Sequence, residues 1–339
     1  MSRYDQIYQR HKTETGLTKI DELRKTKYQT HQFRHNWKNS MVYLNQTPLL
    51  QTPLTNIKLI SQLNNKSQQI NSTLNPDYYS NNMEAMQHSS SFLLPSIPIE
   101  QGANSLNYAL VILNQRLPRF APLLWEHAKL RVCADGGGNR LFDEIPQFFP
   151  EQNPIDVRNR YKPDVIKGDM DSIREDVLDF YAKLGCDAIN ESHDQDTTDL
   201  HKCISHISNL TPESEKSNLC ILVTGALGGR FDHEAGNINV LYRFSNLRII
   251  LISDDCLIQL LPKTHRHEIQ IQSSVVGPHC GLLPMGQPAF HTTTSGLKWN
   301  LDDTEMMFGG LLSTSNIVTG DIVSVQSDAD LIWTISIKH

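Results

Sequence analysis

The stretch "PDVIKGDMDSIRED", residues 163–176, decides how this chain reads. A short apolar run, Val165 and Ile166, breaks at Gly168 and delivers two carboxylates, Asp169 and Asp171, with one residue between them. Helical periodicity follows at once, because "IREDVLDFYAKLG" puts Val177, Leu178, Tyr181 and Leu184 on one stripe. A strand feeding a covering helix is the repeating unit of a parallel α/β sheet.

Working outward, the same unit recurs. "YALVILN" (108–114), "LRVCADGGG" (130–138), "CDAINESHDQD" (186–196), "CILVTGALGGR" (220–230) and "LRIILISDD" (247–255) are short apolar runs ending in Gly/Asp-rich turns. A second covering helix is predicted where Leu200, Cys203, Ile204 and Ile207 share a face. Beyond Leu261 the helical pattern stops, and "HEIQIQ", "CGLLPMG", "FHTTTSGLKWNL", "IVSVQS" and "LIWTISIKH" are alternating or β-branched. The expected fold class is therefore α/β, a doubly wound mostly parallel sheet over residues 101–261, followed by a small all-β sandwich over 262–339.

The start of the chain differs. Residues 1–82 hold 11 Lys/Arg against 5 Asp/Glu, a formal +6, which leaves −12 on 83–339. Residues 40–82 are rich in Asn, Gln, Ser and Thr, and Gly16 is the only glycine before Gly102. Residues 1–100 are expected to be a polar, mostly disordered extension, with a short helix near "KIDELRKTKYQ" (19–29). Met83 and Met86 lie just past the composition break, so a start at either is expected to leave the periodic region whole.

A net charge of −6 over 339 residues argues against an obligatory nucleic-acid or anionic-membrane surface. No stretch approaches the ~18 consecutive apolar residues of a membrane span, and the N-terminus has no apolar signal region. The six cysteines are widely spaced within apolar runs, which predicts buried free thiols, a reducing compartment and hence the cytosol.

In an open α/β sheet ligands collect beyond the carboxyl ends of the strands. There the chain places Asp135-Gly136-Gly137-Gly138, Gly168-Asp169-Met170-Asp171-Ser172, Asp194-Gln195-Asp196-Thr197-Thr198-Asp199 and Gly225 to Asp232. Glycines let backbone N–H groups approach phosphate oxygens, whereas carboxylates would repel them. A hard divalent cation between the two removes the conflict, with Asp135, Asp169, Asp171 and Asp199 as its candidate cage. Taken singly, each aspartate reads equally well as a helix cap, with Asp196 and Asp199 resembling a capping pair. Arg230 and Asp232 either pair with each other or face phosphate and a nucleotide hydroxyl.

In order, "CADGGGNRLFD", "GDMDSIR", "DQDTTDLHKC", "GALGGRFDH", "CGLLPMGQP", "TTTSGLKWNL" and "GGLLSTSN" resemble thiamin pyrophosphokinase from about Tyr108 to the C-terminus. The resemblance implies transfer of the diphosphoryl group of ATP to the hydroxyl of thiamine, giving AMP and thiamin diphosphate, in a homodimer with its active site at the subunit interface. It implies Mg²⁺ on Asp135, Asp169, Asp171 and Asp199, with Asp171 or Asp199 as the group that accepts the hydroxyl proton. It places ATP on Gly136, Gly137, Asn139, Arg230 and Asp232, and thiamine on Gln195, Trp299, Ser313 and Ser315. Met170 stands where the family often has Phe, and Ser295 precedes the glycine of "TTTSGLKW". The alternatives are a DxD-type phosphohydrolase with Asp169 as nucleophile, and a catalytically silent thiamine or nucleotide sensor.

Overall fold

A computed structural model describes residues 83–95 and 106–338. The helix expected near 19–29 lies outside the described residues, as does the disorder expected over 1–100 except at 83–95. The elements run β1 (Ala85–Ser89), β2 (Asn107–Ile112), α1 (Ala121–His127), β3 (Ala128–Ala134), α2 (Gly137–Glu144), α3 (Pro154–Arg160), β4 (Val165–Gly168), α4 (Glu175–Lys183) and β5 (Asp187–Asn190). They continue through α5 (Asp199–Leu210), β6 (Leu219–Thr224), α6 (Phe231–Arg243), β7 (Arg248–Ile252) and β8 (Cys256–Leu261). The remainder is strand: β9 (Arg266–Gln270), β10 (Val276–Leu283), β11 (Ala289–Ser295), β12 (Thr304–Met306), β13 (Ser313–Ile317), β14 (Ile322–Ser327) and β15 (Leu331–Ile337).

Strands β5, β4, β3, β2, β6 and β7 form a parallel block in that order. Their sequences are nearly continuous apolar runs because helices cover both faces; every residue of β6 is buried, as are Ala109 to Ile112 of β2. The chain steps outward from β2 to β5 and then returns to the other side of β2 as β6, so the order reverses there. That reversal opens a crevice at the carboxyl ends of the strands.

The sheet does not stop at residue 261, where the sequence suggests a break. The turn after β7 sends β8 back antiparallel, and β8 then pairs with β15, β15 with β10, and β10 with β13. The result is one ten-stranded sheet, parallel at one end and antiparallel at the other. A five-stranded sheet, ordered β1-β9-β14-β11-β12, completes a sandwich with the antiparallel end. Val323, Val325, Ala289 and Met306 from it share an apolar cluster with Leu282, Trp333 and Ile335.

The strand at residues 85–89 lies inside the expected extension, and β1 pairs in parallel with β9. Its sequence, AMQHS, buries one side chain, His88, and carries no alternating apolar signal. Of the six cysteines, all unbridged, five are buried and Cys256 is partly so.

Candidate active site

The turns following β2, β3, β4 and β6 converge on a cavity of about 340 Å³. Its wall includes Asn114, Asp135, Gly136, Asp169, Asp199 and Arg230. Carboxylate oxygens of Asp135, Asp169 and Asp199 lie within 4.8 Å of one another.

Each member of this trio is held by a local device. Asp135 has left-handed backbone, φ 41°, a conformation that aspartate tolerates better than most residues. Its side chain thereby turns under the β4 loop, where Oδ2 accepts the Ser172 N–H and Oδ1 the Ile173 N–H, both at 3.0 Å. Asp169 emerges directly from β4 after Gly168. A Cβ on that glycine would stand 2.7 Å from the Asp135 Cβ and 2.9 Å from Asp199 Oδ1, so only glycine lets the three side chains close. Met170, next along, is also left-handed at φ 64°, at a cost of about 1–2 kcal/mol.

Asp199 is the first residue of α5, and the cap is Thr198, whose hydroxyl accepts the His201 N–H at 3.2 Å. The capping reading of Asp199 therefore gives way. Asp194 fastens the preceding loop, accepting the N–H groups of Asp196 at 3.0 Å and Thr197 at 3.2 Å. Asp199 Oδ1 is left to face the Asp169 N–H at 3.3 Å and the Lys202 ammonium at 3.6 Å. Burial raises the pKa of Asp135 above the ordinary carboxylate range; burial, followed by the charge of Asp169, does the same for Asp199.

The other expected residues divide. Asp171 is outside the converging trio: it is exposed and accepts the Ser172 hydroxyl at 2.8 Å. Gly136, Arg230 and Asp232 line the cavity, and Arg230 and Asp232 pair with each other at 3.1 and 2.5 Å. Gly137 and Asn139 do not line it. A Cβ on Gly137 would meet the Ile112 carbonyl oxygen at 2.0 Å, so this glycine lets α2 seat on β2. Asn139 donates to the Ser172 carbonyl at 2.8 Å and accepts the Arg174 N–H at 3.0 Å, which ties α2 to the β4 loop.

Gln195, Trp299, Ser313 and Ser315 are also absent from the cavity wall. Gln195 is exposed and donates to the Ser192 carbonyl at 2.9 Å. Trp299 is 54% exposed, so it is not a core tryptophan of the sandwich. Its backbone is clamped by Asn316, which accepts the Trp299 N–H at 3.2 Å and donates to the Trp299 carbonyl at 2.8 Å. Ser313 is buried and its hydroxyl accepts from Asn316 at 3.2 Å, whereas Ser315 is exposed with φ 57°.

Asn114 and Gln115 line the cavity and were not singled out in the sequence, although they follow β2 as Asp135 follows β3. Glu234 carries no mark in the sequence, since its partners are backbone groups of the preceding turn. Its Oε1 accepts the N–H groups of Gly228 and Gly229 at 2.8 and 2.9 Å, fixing the glycine turn after β6.

Residues 121–251 match the family model of the thiamin pyrophosphokinase catalytic domain, and residues 266–332 that of the thiamin pyrophosphokinase vitamin B1 binding domain. The chain is 68% identical over 256 residues to thiamine pyrophosphokinase 2 of Arabidopsis thaliana, covering 76% of this chain and 94% of that protein. It is 64% identical over 262 residues to thiamine pyrophosphokinase 1 of Oryza sativa subsp. japonica, covering 76% and 99%. The crystal structure of yeast thiamin pyrophosphokinase superposes with a TM-score of 0.62 at 26% identity, covering 75% of this chain and 91% of that one.

Proposed function

This chain belongs to the thiamin pyrophosphokinase family, and on that premise we propose how its residues divide the work of diphosphoryl transfer to thiamine. Membership sets aside the phosphohydrolase and the silent sensor: the chain is an enzyme of thiamin diphosphate formation. The reaction is ATP + thiamine → AMP + thiamin diphosphate, in which the thiamine hydroxyl attacks the β-phosphorus and AMP leaves.

The observation that carries the assignment is the convergence of Asp135, Asp169 and Asp199 beside glycine turns in one cavity. Three carboxylates with no soft ligand among them suit a hard cation that binds oxygen, and Mg²⁺ takes a few carboxylates together with water and phosphate oxygens. Asp135, Asp169 and Asp199 would hold it, with Asp171 on the same loop as a further candidate ligand. When bound, Mg²⁺ supplies charge neutralisation on the phosphates. The chain itself supplies alignment. Gly136 at the start of α2 offers its backbone N–H to a phosphate oxygen, and Arg230, released from Asp232, offers a guanidinium, while the glycine turn held by Glu234 leaves room for the phosphates to approach. Asp199 or Asp171 accepts the hydroxyl proton as the O–P bond forms.

Thiamine is assigned to Trp299, whose exposed ring suits the flat cationic heterocycle, with Gln195 and Ser315 as further proposed contacts. Ser313, buried and bonded to Asn316, acts by shaping that loop. Because Trp299 does not line the cavity, a second copy of the chain is proposed to bring its Trp299 to this chain's cavity, in a homodimer. Among the described residues no helix is long and apolar enough to cross a membrane. The free thiols support a reducing compartment, the cytosol.

Incubation with ATP, thiamine and Mg²⁺ should yield AMP and thiamin diphosphate in equal amounts, and chelation should stop it. Asp199→Asn should lower kcat by at least about 100-fold, since even groups that only orient a metal ligand cost 10–100-fold. Turnover within a factor of a few of the parent would defeat the cation assignment.

A further inference from the structure

Lys202 lies one turn along α5 from Asp199, and its side chain is 2% exposed. It does not itself line the cavity, although its partner Asp199 does. Its Nζ is 3.6 Å from Asp199 Oδ1, the oxygen that also faces the Asp169 N–H. Among the described ion pairs, Lys202 is the only cation matched to any of the three converging carboxylates. An ammonium is costly to bury unless a carboxylate offsets it, and an aliphatic side chain would fill this space without that cost. Its charge also acts on Asp194, at the other end of the loop that delivers Asp199.

We propose that Lys202 is a positioning residue: an internal counter-charge that keeps Asp135, Asp169 and Asp199 together when no divalent cation lies between them, and that opposes such a cation once it binds. This rests on the reading of the trio as a cation site. Lysine and cation both offset the repulsion among the carboxylates. Removing the lysine therefore harms the metal-free protein more than the metal-bound one, and by linkage the cation binds more tightly. The nucleotide, whose phosphates then meet a more negative wall, binds less tightly.

Metal binding and melting are measured on the full chain without nucleotide or thiamine, and steady-state kinetics with both. Mn²⁺ is titrated by electron paramagnetic resonance, and thermal melting is followed with and without saturating Mg²⁺. Lys202→Met should bind Mn²⁺ about 10-fold more tightly, within the usual range of coupling between sites. Its melting temperature should fall without metal and recover by more than half when Mg²⁺ is added, and its KM for ATP should rise more than its kcat falls. Lys202→Arg, which keeps the charge, should stay close to the parent in Mn²⁺ affinity.

If the parent binds Mn²⁺ neither alone nor with a non-hydrolysable ATP analogue, the cation reading is overturned; if it binds only with the analogue, the counter-charge proposal fails while the cation reading stands. If the parent binds but Lys202→Met binds equally or more weakly, with a melting loss that Mg²⁺ does not repair, the lysine only fills space and the proposal fails. Should Lys202→Met not fold without metal, the pair Asp199→Asn with Lys202→Met decides. Neutralising both partners should restore a folded metal-free protein, and a double variant as unstable as the single one would sink the idea.

Discussion

At the scale of the residue, Gly168 controls the site without offering a functional group. Its missing Cβ is the space into which Asp135 and Asp199 close. Gly168→Ala should push those side chains apart and cost about 1–3 kcal/mol of stability through overpacking, with a larger loss of turnover than the instability explains. Urea unfolding beside kcat at saturating Mg²⁺ would check this; a variant with full turnover would show that the trio need not close. Asp135 and Asp169 are legible because each closes an apolar run, and Asp199 because it ends the acidic turn before a periodic helix. Their division of labour is not, since a carboxylate after a strand looks the same whether it caps a helix or faces a neighbour. Only placement separates Asp199, whose capping role Thr198 has taken, from Asp171, which turns to Ser172.

At the scale of the element, β1 is attached in a way that acid should undo. His88 on β1 and His267 on β9 are buried, with Nε2 of His88 2.9 Å from Nδ1 of His267. His267 Nε2 donates to the Pro262 carbonyl at 2.8 Å. Burial pushes the His267 pKa down to about 4, with His265 and Arg248 adding to the effect and Asp330 opposing it. Burial, then His267 and Arg248, lowers His88 as well. The folded protein thus binds fewer protons than the unfolded chain between about pH 6.5 and pH 4. Stability from this pair is present in full above about pH 6.5 and lost as pH falls toward 4, by about 3 kcal/mol for His267 alone. Urea unfolding at pH 7 and pH 5 should show the loss, and His267→Gln should flatten it; an unchanged slope would remove the histidines as its cause. The sequence does not mark β1, because an edge strand held by its backbone ladder and one buried polar side chain leaves no apolar periodicity.

At the scale of the whole molecule, the sequence separates two regions that the backbone joins. Composition changes near residue 261, where helices stop, yet β8 and β15 carry the hydrogen-bonded ladder across that point. Pattern reports how each segment is buried, whereas strand partners far apart in sequence leave no local mark. Assembly is testable at this scale too. Asp199→Asn and Trp299→Ala should each be poor enzymes, the second through a thiamine KM raised about 2–30-fold. If each site draws Trp299 from one subunit and the carboxylates from the other, mixing the two variants and allowing exchange should restore about a quarter of parental activity at low thiamine. No recovery on exchange would place both groups in one subunit. The interior position of β15 matters for biosynthesis as well. Every carboxylate of the site is translated before Leu331–Ile337 can pair with the waiting flank of β8. Until then that flank is an unpaired edge open to neighbouring nascent chains. A stop codon just before Leu331 would therefore spare all the proposed catalytic groups, yet its product should partition into the insoluble fraction on expression, so late nonsense alleles should behave genetically as complete losses.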